Sequence, residues 1–428
     1  MIAIVQFDGA SRTHLERMLA AKQLPGLASL RSRGTWLELG TPAVHFEGAA
    51  AYSLSTGVDL GAHGLYYPWM WSATQQQVRF FDDMPAPEAV WERLGRAGRR
   101  SLVVDPYEMR VPTTMRGMFL TGWQFKNRVV LRTRSVPSSL QRMVERQLGR
   151  PPVGEEIYGR PDAGSLLRLR NTLTAAPRRG AELIEALLKR ESFDLVWISL
   201  SAAHLGGHRF YDVEVFSQEL ALDRHPGLTT ALGDIYRAVD ESLARIVSAL
   251  PEGADVIVMS PTGMGPNNSR SHLLPAMLDA VLTDEQHALR HSAGGSSLWR
   301  IRAAVPTGVR AWIARMIPDR LALELAARLE LRGVRWDRTQ AFMVPNDDAG
   351  FLRLNLRGRE RDGIVEPKDA ESVLERITNG LMSFRNTDGS QTIRKIWRIS
   401  ELGYLGAFHD ELPDLLVQWN EQPVPPLM

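Results

Sequence analysis

The chain of 428 residues has no cysteine, which excludes disulfides, thiolate metal ligands and a cysteine nucleophile but leaves the compartment open. It also lacks a long apolar run near its start. The opening MIAIVQFDGA meets Asp8 after a few apolar residues and carries no basic leader, so neither a signal peptide nor a membrane span is expected there. A cytoplasmic location without a membrane partner follows as an expectation. Net charge is nearly absent: 51 Lys and Arg against 49 Asp and Glu leave +2. That is too little for the field of a nucleic-acid-binding protein, and no nucleic-acid partner is expected. Internal repeats and low-complexity linkers are lacking as well. With 44% apolar and 23% charged residues, what remains is an ordinary globular protein, long enough for a large core.

Short apolar runs at 2–7, 101–105, 195–201 and 255–260 end in small or polar residues, as buried parallel strands do. Helical periodicity fills 166–189, 229–250 and 271–282 between and after them. Strands alternating with helices predict an α/β fold, a doubly wound, mostly parallel sheet with helices on both faces. The chemistry of such sheets lies beyond the carboxyl ends of the strands. That rule directs attention to Asp8, to the segment from His204 to His208, and to Pro261 and Thr262. Region 305–338 interleaves Arg310, Arg315, Arg320, Arg328, Arg332 and Arg335 with Trp312, Ile313, Leu321 and Leu329, and Pro318 interrupts it. It reads as a basic helical cap or insert, with 1–304 and 339–428 forming the α/β domain. Further β-like runs follow at 342–345, 351–356, 393–399 and 415–419, around one helix at 370–381.

The first segment holds Asp8-Gly9 at a strand end, Leu24-Pro25-Gly26-Leu27, Thr56-Gly57 and His63-Gly64 in order. Together these resemble the opening of the type I phosphodiesterases and nucleotide pyrophosphatases, in the alkaline phosphatase superfamily. DLVWISLSAAHLGGHRFYD resembles the strand and loop that carry the family's Asp-x-x-x-His metal pair. ADVIVMSPTGMGP resembles the strand that ends in Ser-Asp-His-Gly-x-Gly-Pro. FLRLNLRGRERDGIVEP and DELPDLLVQWN resemble later family blocks, so the resemblance runs from residue 1 to about residue 420.

The resemblance implies a phosphate-type hydrolase with two metals bridged by a Thr or Ser nucleophile, and this sequence departs from it at the chemistry. Glu47, at the start of a helix expected over 48–55, occupies the nucleophile position. His204 replaces the aspartate of the metal pair while His208 stays, and Pro261-Thr262 replaces an Asp-His pair. A final Asp-His-Arg-Pro-x-Gly segment is missing. Asp8, Glu47, His204 and His208 form a set suited to one divalent metal, Zn²⁺ first and Fe²⁺ as the alternative. Otherwise the two histidines are hydrogen-bonded loop residues, and the carboxylates cap helices. Thr262, His45, Tyr66 and His272 are the candidate substrate-binding residues, beside the aromatic cluster of Tyr67, Trp69 and Trp71. His63 is expected to fix a turn. Arg357-Gly358-Arg359 reads either as an anion site or as an exposed hairpin.

These residues point to a one-metal enzyme acting on a phosphate-type or related ester, with a small anionic molecule as its partner. The rivals are a binding or scaffold protein that has lost catalysis, and a non-hydrolytic Fe(II) enzyme. The standard two-metal mechanism is expected not to operate. The missing final segment leads to the expectation of a homodimer.

Overall fold

The computed structural model describes residues 1–81, 84–106, 109–124, 134–151, 162–283, 334–345 and 349–421. The expected basic insert falls almost wholly outside these residues. In chain order the strands are β1 (Ile2–Phe7), β2 (Trp69–Ser72), β3 (Gln77–Phe80), β4 (Ser101–Val104), β5 (Gly117–Leu120) and β6 (Ser135–Val136). Then come β7 (Leu195–Leu200), β8 (Asp255–Met259), β9 (Ala341–Val344), β10 (Gly350–Leu354), β11 (Ile393–Arg398) and β12 (Leu415–Trp419). Contacts divide the chain into two compact units. The first comprises Met1–Val44, Ala50–Gly57 and Glu88–Gly265, and the second His45–Ala49, Val58–Pro87 and Pro266–Met428.

The first unit is built on a six-stranded sheet in the order β6-β5-β4-β7-β1-β8. All neighbours are parallel except β5 and β6. β7, the run LVWISL, is buried at every position, which requires cover on both faces. Adjacent residues show that cover, because successive side chains point to opposite faces. The Trp197 ring meets Trp91 of helix Val90–Arg96 edge-on at 5.5 Å. Ile198 lies against Gly180 of helix Ala163–Leu188, so closely that a Cβ on the glycine would stand 3.1 Å from Ile198 Cδ1. β1 is interior as expected, its Phe7 level with Leu200 of β7 and its Gln6 level with Met259 of β8. The carboxyl ends of β7, β1 and β8 therefore lie side by side.

Helix Pro25–Arg33 has no side-chain cap of its own. Its first-turn N–H groups are satisfied from helix Ala231–Ala249 instead: the Asp240 carboxylate accepts from Gly26 N at 2.8 Å and Leu27 N at 2.7 Å. A carboxylate suits a helix amino end both as an acceptor and as a negative charge. Gly26 permits the approach, since a Cβ there would come within 2.9 Å of the Asp240 carbonyl oxygen.

The second unit contains a four-stranded antiparallel sheet, β11-β12-β10-β9, and the hairpin β2-β3. The late β-runs thus form a sheet of their own rather than extending the parallel one. Its core packs Leu274, Leu278, Val373, Ile377 and Leu381 against Leu352, Leu354, Leu415 and Val417. A buried ion-pair network ties the loops together. Arg353 Nε meets Glu360 Oε1 at 2.7 Å with both side chains fully buried, and Trp71 Nε1 donates to Glu360 Oε2 at 2.8 Å. The remaining Arg353 donors reach the carbonyls of Leu412 and Asp410. Arg359, in the turn that read as a possible anion site, makes two 2.7 Å bonds to Asp414. Arg357 pairs with Glu366. Both guanidinium groups therefore serve structure.

Asp240→Ala is expected to lower stability by about 1–3 kcal/mol, because it strands two amide donors at a helix end. Urea unfolding of the variant beside the parent chain measures this directly.

Candidate active site

Asp8 leaves β1 as a buried carboxylate, and the next residue sets the geometry. Gly9 adopts φ +64°, and a Cβ there would stand 2.7 Å from His204 Cβ. Only glycine accepts both that conformation and that contact. On the other side, His204 rides on helix Ala202–Phe210, which begins directly after β7. The segment expected to be a loop is therefore a helix. Its Gly206 and Gly207 look unsuited to one, but close packing calls for them. A Cβ at Gly206 would lie 2.8 Å from Ile235 Cδ1, and one at Gly207 would lie 2.6 Å from Met264 Cγ.

Three expected residues meet at the carboxyl ends of β7, β1 and β8. Asp8 Oδ2 is 3.4 Å from His204 Nδ1, with side chains 1% and 4% exposed. Asp8 Oδ1 faces Thr262 Oγ1, also at 3.4 Å. Ser260, which sequence reasoning passed over, fastens the arrangement. Its hydroxyl accepts from Ala10 N at 3.2 Å and donates to the Thr262 carbonyl at 2.7 Å. A serine directly after the apolar run of β8 was the available signal. His208, one turn beyond His204, is exposed, and the two ring centroids are 4.7 Å apart. Among the described residues, no three of His, Asp or Glu are already gathered as a metal-holding group.

The other candidates belong to the second unit. Glu47 is exposed in the turn before helix Ala49–Thr56. His45 Nδ1 hydrogen-bonds with the Tyr404 hydroxyl at 2.9 Å, and its ring stands edge-on to Trp397. Burial, then Lys395, holds the His45 pKa below its ordinary value. His272 is exposed on the turn Ser271–Leu273. Tyr66 sits in the core rather than on an open surface. Its side chain is buried between Phe46 and Phe351, burial pushes its pKa up to about 12, and no face is left for a substrate ring.

The sequence landmarks around these positions are structural. Thr56 Oγ1 donates to the Tyr52 carbonyl, and Gly57 turns the chain at φ +68°. His63 is buried and its Nδ1 accepts from Leu65 N at 3.0 Å, so the neutral ring carries its proton on Nε2. It fixes a turn, as expected. In the first unit, Asp105 follows β4 and accepts from Trp123 N, Gln124 N and Gln124 Nε2 at 2.9–3.0 Å. Burial raises its pKa, and those donors oppose the rise.

A mostly parallel sheet with helices on both faces is an α/β fold of the alkaline-phosphatase-like class, shared with the solved structures described below. The chain belongs to the type I phosphodiesterase / nucleotide pyrophosphatase family, whose model matches residues 2–423. No curated relative matches it. Among solved structures it is similar in fold to phosphonoacetate hydrolase from Sinorhizobium meliloti 1021. With phosphonoacetate bound, that structure gives TM-score 0.52 and 15% identity over 99% of this chain and 81% of that one. The phosphonoformate complex gives 0.51 and 16% over the same shares. Murine ectonucleotide pyrophosphatase/phosphodiesterase 5 in complex with AMP gives 0.46 and 10%, over 98% and 78%. Among the described residues no helix is long and apolar enough to cross a membrane.

Burial lowers the His63 pKa from 6.5 to about 4, with Asp59 opposing. The unfolded chain therefore binds a proton near pH 6.5 that the folded chain refuses until about pH 4. Stability from this residue is present at pH 7 and is lost as the pH falls through that window. Between pH 7 and 5 the loss should be about 2 kcal/mol. Urea unfolding at both values should show a clearly smaller loss for His63→Gln than for the parent.

Proposed function

We propose that the protein is a hydrolase of phosphate-type esters of small molecules, working with one divalent cation held by Asp8 and His204. The separation of Asp8 Oδ2 and His204 Nδ1, 3.4 Å, carries this reading. It is long for a direct N–H···O bond, whose usual length is about 2.9–3.0 Å. Two donors on one tetrahedral zinc, each bonded at about 2.0–2.1 Å, stand roughly 3.3 Å apart. The donor chemistry fits as well: imidazole and carboxylate are ordinary zinc ligands. His208, one helical turn beyond His204, is the residue that would add a third donor, making two histidines and a carboxylate.

Such an ion supplies Lewis-acid polarisation of a phosphoryl oxygen. In hydrolysis a water oxygen bonds to phosphorus as the bond to the leaving oxygen breaks, and the proton released by water ends on the leaving group. The chain's own residues prepare the place for this. The Thr262 hydroxyl faces Asp8 Oδ1 at 3.4 Å, on the side of the carboxylate away from His204. Ser260 fixes the Thr262 backbone against the turn after Asp8. The phosphate-type substrate class comes from the family. The finer claim of one metal comes from the geometry and from Pro261 and Thr262, which offer only one hydroxyl toward a second ion.

Protein purified without chelators should contain at most one equivalent of divalent metal. Asp8→Asn and His204→Ala should each remove it and lower turnover of any phosphate ester the parent cleaves by roughly 10²–10⁴-fold. Bis-aryl phosphodiesters should turn over slowly even in the parent. Two stoichiometric metals with rapid diester hydrolysis would overturn the one-ion reading. Metal-free parent protein that neither takes up zinc nor hydrolyses esters would leave a binding protein on this fold.

A further inference from the structure

A groove of the first unit, about 640 Å³ in volume, is lined by Ser139, Arg142, Met143, Arg146, Gln147 and Arg190. Its charges are of one sign. Helix Ser139–Leu148 buries Leu140 and Val144, which leaves Arg142 and Arg146, one turn apart, together on an exposed face. Arg190 follows helix Ala163–Leu188 and comes shortly before β7 begins. It thus lies toward the amino ends of the strands, away from Asp8, His204 and Thr262.

Several surface arginines in this unit have carboxylate partners. Arg99 meets Asp194 at 3.3 Å, Arg178 meets Glu241 at 3.0 Å and Arg245 meets Glu185 at 2.9 Å. Arg100 pairs with Glu191, right beside Arg190 in sequence. Arg142, Arg146 and Arg190 have no carboxylate partner among the described residues, and Glu145 of the same helix accepts from Gln141 at 2.9 Å. A helix carboxyl end favours a nearby cation, which accounts for Arg146 and Arg190 taken singly. Arg142, a turn further in, has no such reason. Like charges brought to one groove repel, and an anion between them removes that cost.

We propose that this groove binds a small phosphorylated molecule. Guanidinium forks match phosphate oxygens in geometry as well as charge. The volume lies within the usual range for small-ligand pockets, and Met143 offers an apolar wall beside the arginines. The site is separate from the one that holds Asp8 and His204.

Calorimetric titration of the full chain with pyrophosphate and with ADP, in chelator-containing buffer, tests the proposal. One equivalent of pyrophosphate should bind with steep salt dependence. R142Q/R146Q and R190Q should each weaken it by at least roughly tenfold, whereas His204→Ala should leave it unchanged. ADP binding more tightly than pyrophosphate would identify a nucleotide-like ligand, and equal affinities would identify a free polyphosphate. The proposal is overturned if the parent binds neither. It also falls if binding is lost in His204→Ala and kept in R142Q/R146Q, or if a short RNA binds the same arginines more than tenfold better than both probes.

Discussion

The candidate site depends on one close approach, that of the Gly9 backbone to the His204 side chain. The left-handed turn after β1 aims the Asp8 carboxylate at the first turn of helix Ala202–Phe210, and the missing Cβ lets that turn come in. Asp8 reaches His204 with one oxygen and Thr262 with the other, while Ser260 bonds both flanking backbones. Gly206, on the far side of the same helix, takes Ile235, and Gly207, near the face of His204, takes Met264. The helix is thus held by shape on two sides, at the expense of helix propensity.

Around this point two buried carboxylates are answered by several donors each. The Asp240 carboxylate completes a helix amino end, and Glu360 accepts from Arg353, Arg359 and Trp71 in the second unit. A buried carboxylate with several donors recovers part of its desolvation cost, whereas one deprived of them is strongly destabilising. Such residues need not take part in chemistry. The same holds for Thr56-Gly57 and His63-Gly64, which mark the family in sequence and work as turn geometry. A Cβ at Gly64 would stand 2.6 Å from Phe408 Cβ, and one at Gly61 would meet the backbone of Tyr404 and Leu405.

Much of this was legible in the sequence, for identifiable reasons. Strands β1, β4, β7 and β8 are short apolar runs, and a parallel sheet buried on both faces leaves that trace. The strand-end rule then led to Asp8, His204 and Thr262. Hairpin β2-β3 was missed because its turn lacks the Gly or Asn that signals one, Gln76 taking φ +49° instead. Helix Ala202–Phe210 stands where the family resemblance implies a loop, and its paired glycines serve close packing. At Tyr66 aromatic density alone does not separate a core from a pocket. That the late strands form their own antiparallel sheet depends on pairings between distant segments, on which local periodicity is silent.

The account rests on the approach that Gly9 allows, and Gly9→Ala addresses it without touching a donor atom. Zinc titration of this variant by calorimetry, with circular dichroism to verify the fold, is the most direct measurement. An added Cβ would push His204 away and strain the turn after Asp8. The account predicts a folded protein whose zinc affinity falls by at least about tenfold, the equivalent of 1.4 kcal/mol. A folded Gly9→Ala protein that binds zinc as the parent does would contradict it.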